Sequence, residues 1–491
     1  MKRRPRLAFS LGLLLLTSAI LGATQWRARE RLLTQGWTTH FPEPVADTPG
    51  ATGTTMSRAC VNAPLESYAE AELAWALDTI EAGGFAWVRQ RISWADAAPQ
   101  AAAPSASVLD WSRLDALFES LSDRPLELIA VLDDAPTWAG ASALAGGPDP
   151  ATGPPEAAAY AEWAGAVAER YGDRITYYQI WHNPNLGDNW GGRANAFEYA
   201  DLLAQAAGAI RVADGDARIV LGSLAPTSEL GQRNYAEDLF LEMLYEAGAA
   251  PNFDVVSVQP YGFDTGPDDR RVARDVLNFS RPILVRQVMV EHGEGDKAIW
   301  AANFGWNSMR PGGWPGGPSI WGTVGEAAQA SYTVAALERV EREWPWMGVL
   351  CLNSFQPQPA VGDLAVPDAA PSGLPDAEQH WGFAIVTPDG EPRPVYRAVQ
   401  AAQTPLTQVA HAGVYRADTD LATFEGSWTL GPLGADIGEH GENTVSFTFE
   451  GTGVALTVRR GPYRAFLFVT VDGEPAPALP RDRDGRAYAV L

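Results

Sequence analysis

Groups that bind metals, nucleotides or nucleic acids are scarce in this 491-residue chain. It has two cysteines, too few for a zinc cluster, and six histidines without ligand spacing, which predicts no metal site. A glycine-rich phosphate loop and a dinucleotide motif are also missing, so we expect no cofactor. Lysine and arginine number 36 against 60 aspartates and glutamates, a net charge of −24. Because nucleic-acid phosphates would be repelled, we expect no nucleic-acid partner.

The first residues have the pattern of an export signal. A basic stretch precedes an uncharged run from Leu7 to Ala23, which is close to the lower limit for spanning a bilayer core of ~30 Å. Leu21 is a poor match to the small residue that signal cleavage after Ala23 requires. A cleaved signal peptide and a retained membrane anchor therefore both stay open for residues 1–35. In either case we expect an extracellular or cell-surface protein, secreted or anchored.

The remainder of the chain divides by composition and by hydrophobic period. Residues 36–56 are rich in Pro, Thr and Gly, which predicts a linker. From 57 to 402, eight short apolar runs alternate with segments of helical period. The helix after the sixth apolar run is predicted over about 270–292. Such alternation predicts an α/β fold with a parallel sheet, and eight units favour a (β/α)8 TIM barrel over an open doubly wound sheet.

The last part of the chain has a different pattern. Residues 405–491 show period-two alternation broken by glycine-rich turns, which predicts a small all-β, sandwich-like domain. The final residues, GRAYAVL, resemble the middle of a strand. A truncated C-terminal domain is therefore one interpretation of this region.

The predicted ends of the barrel strands are rich in aromatic and amide side chains. Chemistry in a barrel lies at the C-terminal ends of its strands, and indole rings stack on sugars as well as pack in cores. Any single tryptophan has core packing as its alternative, but the whole set predicts a saccharide site. Its candidate binding residues are Arg89, Trp138, His182, Asn185, Trp190, Tyr261, Trp306 and Trp381.

Two of these strand ends carry motifs. The fourth strand reads IWHNPNLGDNW and the seventh reads IWAANFGWNS. Over residues 57–402 the chain resembles clan A glycoside hydrolases, closest to family 39, whose motifs are I-W-N-E-P-N and W-x-x-E-F-G-W. The resemblance places the acid/base at position 183 and the nucleophile at position 303. Both positions hold asparagine here, Asn183 and Asn303, and His182 stands where the family has an asparagine that binds a sugar hydroxyl.

These replacements remove the groups that the family uses for hydrolysis. A retaining glycosidase needs one carboxylate to attack and another to deliver a proton. We therefore expect an exported glycosidase-like protein that binds an oligosaccharide or polysaccharide, with hydrolysis lost or strongly reduced. One alternative is an active glycosidase with relocated carboxylates, drawn from Asp133, Asp134, Asp188 and Asp264. Another is a structural cell-envelope protein whose barrel mouth is plugged by residues 310–321.

The two cysteines lie on the first and last predicted barrel strands. These strands are neighbours in a closed barrel, so Cys60 and Cys351 are expected to lie close together. Export makes a disulfide feasible, and buried free thiols are the alternative.

Overall fold

We analysed the chain as a computed structural model. The structure describes residue 47 and residues 58–98, 109–139, 154–308, 319–357, 382–403 and, with gaps, 409–490. The predicted leader, including Leu7 to Ala23, lies outside the described residues, as do most of the predicted linker and Trp381. In the part of the chain that is described, no helix has both the length and the apolar character needed to cross a bilayer.

The main unit is a closed barrel of eight parallel strands, which confirms the predicted fold class. Each strand pairs with its neighbour in sequence, and the last pairs with the first. The strands read as nearly continuous apolar runs because both of their faces are covered. They are β1 (Ala59–Asn62), β2 (Trp87–Ser93), β3 (Glu127–Asp133), β4 (Tyr177–Ile180), β5 (Arg218–Val220), β6 (Val255–Val258), β7 (Ala298–Phe304) and β8 (Met347–Leu352).

Eight main helices accompany the strands. They are α1 (Glu70–Ala82), α2 (Ser112–Leu121), α3 (Ala157–Tyr171), α4 (Ala196–Ala213), α5 (Glu237–Glu246), α6 (Pro282–Glu291), α7 (Glu326–Glu343) and α8 (Pro394–Gln403). Helix α4 begins at a side-chain cap, since the Asn195 carboxamide oxygen accepts from the backbone N–H of Phe197 and Glu198 at 3.1 and 3.3 Å.

Helix α6 begins at Pro282, twelve residues after the predicted start near 270. Asn278 and Arg281 explain the difference, because their side chains donate to the backbone carbonyls of Arg271, Arg274 and Val276 at 2.9 Å each. Carbonyls engaged in this way do not need the helical hydrogen-bond ladder, so the segment remains a loop.

Aromatic rings fill the N-terminal end of the barrel interior. Trp87 of β2, Tyr177 of β4 and Trp300 of β7 contact one another with ring centroids 4.6 to 5.6 Å apart. Strands on opposite sides of a barrel meet only inside it, so these side chains face inward. Side chains alternate along a strand, and the next inward positions toward the C-terminal end are Arg89 on β2 and Gln179 on β4.

Cys60 and Cys351 form a disulfide across the seam between the first and last strands. The two residues are direct partners in the β1–β8 register, their Cα atoms lie 4.0 Å apart, and both are buried. Cys60 also pairs with inward-facing Trp87 in the β1–β2 register, so the bond lies on the interior side of the strands. The barrel is thus closed covalently as well as by backbone hydrogen bonds.

The N-terminal end of the barrel is bonded to Asp47, a residue of the predicted linker. Its carboxylate accepts from the Tyr177 hydroxyl at 3.2 Å and from the Arg218 guanidinium. Its carbonyl oxygen accepts from the Trp300 indole at 2.7 Å. Gly348 leaves room for this contact, because a Cβ there would lie 2.1 Å from the indole nitrogen and 2.9 Å from the Asp47 carbonyl oxygen.

We expect the substitution Asp47→Ala to lower the free energy of unfolding by about 1–3 kcal/mol, because charge-assisted hydrogen bonds would be lost from a site with little solvent. Urea unfolding measures the change. Asp216→Ala, at an exposed position beside β5, is the matched control and should alter stability by less than ~0.5 kcal/mol. If both substitutions changed the free energy of unfolding equally, Asp47 would not be attached specifically to the N-terminal end of the barrel.

The chain forms two compact units. One comprises Met1–Leu406 with Thr429–Asp436, and the other comprises Thr407–Trp428 with Ile437–Leu491. The C-terminal region is all-β, as predicted, and consists of small sheets. In the largest of these among the described residues, Thr444–Phe449 pairs antiparallel with Ala422–Glu425 and parallel with Val409–Ala410.

Candidate functional site

The floor of the candidate site is built around a buried arginine. Arg89 is 6% exposed. Its Nε donates to Gln179 Oε1 at 2.9 Å, Nη1 donates to Asn62 Oδ1 at 2.7 Å, and Nη2 lies 3.3 Å from His182 Nδ1. Burial lowers the pKa of Arg89 to about 10, which keeps the guanidinium charged at neutral pH. All three hydrogen-bond partners are neutral acceptors.

One directed chain of hydrogen bonds connects Arg89 to Asn183. A guanidinium only donates, so His182 Nδ1 accepts and carries no proton. Ser223 Oγ, 2.8 Å away, therefore donates to the same nitrogen. Gln259 Nε2 donates in turn to Ser223 Oγ at 3.0 Å and to Asn183 Oδ1. The carboxamide of Asn183 is thus oriented with its oxygen bonded to the protein and its Nδ2 available as a donor.

His182 is neutral in this network. Burial holds the pKa of its imidazole well below the ordinary value, and the charges of Arg89 and Arg91 lower it further. Because Nδ1 accepts hydrogen bonds, the single ring proton resides on Nε2. Nε2 makes no hydrogen bond with any residue that the structure describes, so this half-buried ring offers one N–H donor to a ligand.

The backbone around Asn183 is held in an uncommon conformation. Trp181 and Asn183 have φ of 68° and 51°, in the left-handed region that disfavours bulky residues. The Asn183 N–H donates to the Ser223 carbonyl oxygen at 3.1 Å, and the Trp181 indole donates to the Asn189 carbonyl at 3.0 Å. Such strain persists only where surrounding contacts impose it, and it concentrates at functional sites.

Asn303 faces the barrel interior because of an irregularity in β7. Where β8 advances two residues from Leu350 to Leu352, β7 advances three and ends at Phe304. Phe304 packs outward against Phe279, with ring centroids 6.3 Å apart, so the residue before it faces inward. Asn303 is 6% exposed, and its carboxamide has no hydrogen-bond partner among the described residues.

Asp133 is the carboxylate most closely associated with this floor, and it is bonded to Arg91. Both of its oxygens accept from Arg91 Nε at 3.0 Å. Burial raises the pKa of Asp133, and the Arg91 charge opposes that effect. Asp133 is 2% exposed and already paired within the protein, which matches a structural ion pair.

The other relocated-carboxylate candidates also have local partners. Asp134 accepts from the Ser93 hydroxyl at 2.6 Å. Asp188 is 76% exposed and pairs with Arg233. Asp264 is exposed and accepts from the backbone N–H of Thr323 at 3.0 Å. These contacts match loop caps and surface ion pairs.

Glu66 is a carboxylate that the sequence analysis did not select. It lies half-buried in the turn after β1. Burial and the nearby charge of Asp96 raise its pKa to about 7, while Arg113 and Arg91 lower it. The strand-end pattern contains no signal for it, because the charges that act on it lie on β2, β3, α2 and the short helical turn after β2. The sequence analysis also missed Gln179, Ser223 and Gln259. Gln179 lies two positions after Tyr177 on β4, so the alternation of side chains along that strand would have placed it inside the barrel.

Several predicted sugar-binding residues lie in the protein core. Trp190 is 2% exposed and packs edge-on between Trp181 and Tyr199. Asn185 is fully buried, and its carboxamide bonds the backbone of Ala225 and Tyr235. The Trp190 ring is used for packing and the Asn185 carboxamide for loop attachment, so neither side chain is accessible to a ligand in this structure.

The same is true of the aromatic residue after β7. Trp306 is 0% exposed, and its indole donates to the Thr265 carbonyl at 2.7 Å. Gly262 makes this packing feasible, since a Cβ there would lie 1.9 Å from the indole ring.

The two remaining described aromatic candidates differ in burial. Trp138 is half-buried, and its indole donates to the Ala98 carbonyl at 3.2 Å. Tyr261 is buried against Trp321 and Phe383, with centroids 4.6 and 5.2 Å away, and Asn353 Nδ2 lies 3.3 Å from its hydroxyl. Trp321 belongs to segment 310–321, whose placement in the mouth would favour a structural role, and residues 310–318 of that segment lie outside the described residues.

Comparison with known proteins places the fold. No protein-family model matches the chain, and no curated protein does. A family 39 glycoside hydrolase from the gut symbiont Bacteroides cellulosilyticus WH2 is similar over 91% of this chain and 79% of its own, at 15% identity and a TM-score of 0.52. The chain shares the (β/α)8 barrel fold of that structure. A monomeric beta-xylosidase from Caulobacter crescentus CB15 is similar over 74% and 70%, at 17% identity and a TM-score of 0.49.

At such low identity the similarity shows the fold alone. What this barrel can do depends on its floor, where the structure brings together Arg89, His182 and Asn183 through one hydrogen-bond chain. The inward-facing Asn303 completes a set dominated by neutral amides and N–H donors.

Proposed function

We propose that this protein binds an oligosaccharide or polysaccharide at the C-terminal mouth of its barrel and hydrolyses glycosidic bonds poorly or not at all. The observation that carries the proposal is the bonding of Asn183. Its carboxamide oxygen accepts from Gln259 Nε2, which also donates to Ser223, so position 183 offers a hydrogen-bond donor where the resemblance implies an acid.

The chemistry of an amide supports binding without cleavage. A carboxamide has no proton that titrates near neutral pH, and its oxygen is a poor nucleophile. Loss of a general acid alone typically removes ~10²–10⁴ in rate, or roughly 3–5 kcal/mol of barrier. Loss of the nucleophile removes the covalent route of a retaining enzyme. Amides nevertheless donate and accept hydrogen bonds well, which suits sugar hydroxyls.

Export belongs to the same proposal. The buried bond between Cys60 and Cys351 supports it, because disulfides persist in oxidising compartments outside the cytosol. We propose a secreted or surface-anchored protein whose glycan ligand is extracellular.

A glycan-array binding screen beside a hydrolysis assay on the full chain tests the function. We expect binding to at least one class of oligosaccharide and no turnover above the buffer blank. The hydrolysis arm uses aryl glycosides, whose leaving groups need little acid assistance, so residual activity would be seen. Absence of any glycan binding would contradict the proposal and favour a structural role in the envelope.

One observation keeps an active glycosidase as a second candidate. Glu66, with a pKa of about 7, interacts electrostatically with Asp133, and carboxyls in contrasting environments are the usual acid/base couple. If wild-type turnover appears, Glu66→Gln should abolish it under this second candidate, with Glu70→Gln on the exposed start of α1 as the control. Turnover that survives Asn183→Ala together with Asn303→Ala would overturn the binding-only proposal.

A further inference from the structure

We propose that the glycan is acidic, and that a sugar carboxylate binds beside Arg89 on the floor of the barrel. The inference rests on the proposed carbohydrate binding and adds the class of sugar. Its basis is the charged side chain of Arg89. It lies in a site where positions 183 and 303, which hold glutamate in the family that the chain resembles, hold neutral asparagine. A carboxylate on the ligand would supply the negative charge that Asn183 and Asn303 do not.

Arg89 has donors to spare. A guanidinium carries five N–H groups, and Arg89 uses three of them in contacts with Gln179, Asn62 and His182. The other N–H groups of Nη1 and Nη2 have no acceptor among the described residues. A planar guanidinium with two N–H groups free matches a carboxylate in bidentate geometry.

Asn62 links this cation to the strand that carries Asn303. Its Oδ1 accepts from Arg89, and its Nδ2 donates to the Ala302 carbonyl oxygen at 2.8 Å and to the Leu352 carbonyl oxygen at 3.2 Å. The inward-facing Asn303 follows Ala302 directly. Arg89 is therefore linked through Asn62 to the backbone beside Asn303, whose buried carboxamide has no partner among the described residues.

Two further polar atoms of the floor are donors, while the Asn303 carboxamide offers both a donor and an acceptor. The hydrogen-bond chain that starts at Arg89 uses the oxygen of Asn183 and Nδ1 of His182, and it leaves Asn183 Nδ2 and His182 Nε2 without a described partner. Because the chain runs in one direction, these N–H groups cannot be exchanged for acceptors without breaking bonds to Ser223 and Gln259. A floor rich in donors around one cation fits an anion better than a hydroxyl that must also donate.

The carboxylates nearby do not neutralise this cation directly. Asp133 acts on Arg89 through space, but both of its oxygens are bonded to Arg91. The net charge of −24 repels an acidic glycan at long range, yet at ~0.15 M salt such a field decays over about 8 Å. A contact with buried Arg89 is short-range and is screened much less.

Calorimetric titration of the full chain with matched ligands tests the inference. The probes are tetragalacturonic acid and tetramannuronic acid, each beside its carboxyl-reduced counterpart, which has the same rings without the charge. We expect the acidic member of at least one pair to bind tenfold or more tightly than its reduced partner. A sulfated galactose tetrasaccharide forms a third arm, and tighter binding of that compound than of both uronates would overturn the carboxylate assignment.

Asn183→Asp is the decisive variant, because it adds a negative charge with almost no change of shape. The ratio of acidic to neutral affinity should fall to about one or below, while an unchanged circular dichroism melt reports an intact fold. Gln205→Glu adds the same charge on the exposed face of α4, away from the floor, and should keep the preference. An unchanged ratio in Asn183→Asp would overturn the inference.

The outcomes separate this inference from the proposed function. Equal or tighter binding of the reduced sugars would reject the acidic ligand and leave carbohydrate binding intact. Competition by sodium acetate at the same concentration as the uronate would show an anion site that ignores the sugar, which would reject the inferred glycan. Failure of every oligosaccharide to bind would reject both.

Discussion

Replacing both Cys60 and Cys351 by alanine should lower the free energy of unfolding by about 4–5 kcal/mol. The disulfide connects positions 291 residues apart, and a cross-link that closes a long loop removes much of the entropy of the unfolded chain. The loss would be among the largest of any double substitution here, because typical single substitutions cost only ~1 kcal/mol.

Guanidinium chloride unfolding under non-reducing conditions measures this effect. The oxidised wild type is compared with the wild type unfolded and refolded in reductant, which differ only in the sulfur–sulfur bond. The chain has two cysteines, so the double alanine variant should be insensitive to reductant. A denaturation midpoint that is the same with and without the bond would contradict the prediction.

The largest expected change in activity comes from placing carboxylates at positions 183 and 303, where the family that the chain resembles has its two catalytic glutamates. We expect Asn183→Glu together with Asn303→Glu to raise hydrolysis of an activated aryl glycoside at least ~10²-fold above the wild type, since general acid–base catalysis alone is worth ~10²–10⁴. The reason is that a proton donor and a nucleophile would return to strand ends that already carry Arg89 and the surrounding network.

The matched control keeps length and polarity but adds no charge. Asn183→Gln with Asn303→Gln should be as inactive as the wild type, and each single glutamate variant should gain much less than the pair. Initial rates of aryl-glycoside release at several pH values provide the measurement. A double glutamate variant no faster than the double glutamine one would show that more than the two carboxyl groups separates this barrel from an active glycosidase.

The barrel itself was predictable because its signal is repetitive. Eight apolar runs, each buried on both faces, leave a pattern that survives errors in any one element. The sixth helix was placed too early, because periodicity near 270 does not reveal that Asn278 and Arg281 engage the local carbonyls. Element type follows from local pattern, whereas an element boundary depends on which partner satisfies each backbone group.

The candidate site was predictable only at its strand ends. Motif position identified Asn183 and Asn303, but the same reasoning selected Trp190, Trp306 and Asn185, which pack in the core. A strand-end residue turns either into the mouth or back against the helices, and its neighbours in the sequence do not decide between these directions. The raised pKa of Glu66 depends on burial and on charges carried by several different elements of the barrel, which its neighbours in the sequence do not reveal.

The sequence by itself determined the barrel, the strand ends that carry the site and the lack of glutamates at positions 183 and 303. These features depend on residue type and on period, which are local properties. Only the tertiary structure decided the bond across the β1–β8 seam, the inward direction of Asn303 and the polarity of the network that begins at Arg89. Each of these depends on which groups meet across the barrel, because a donor-only guanidinium sets the direction of every hydrogen bond that follows from it.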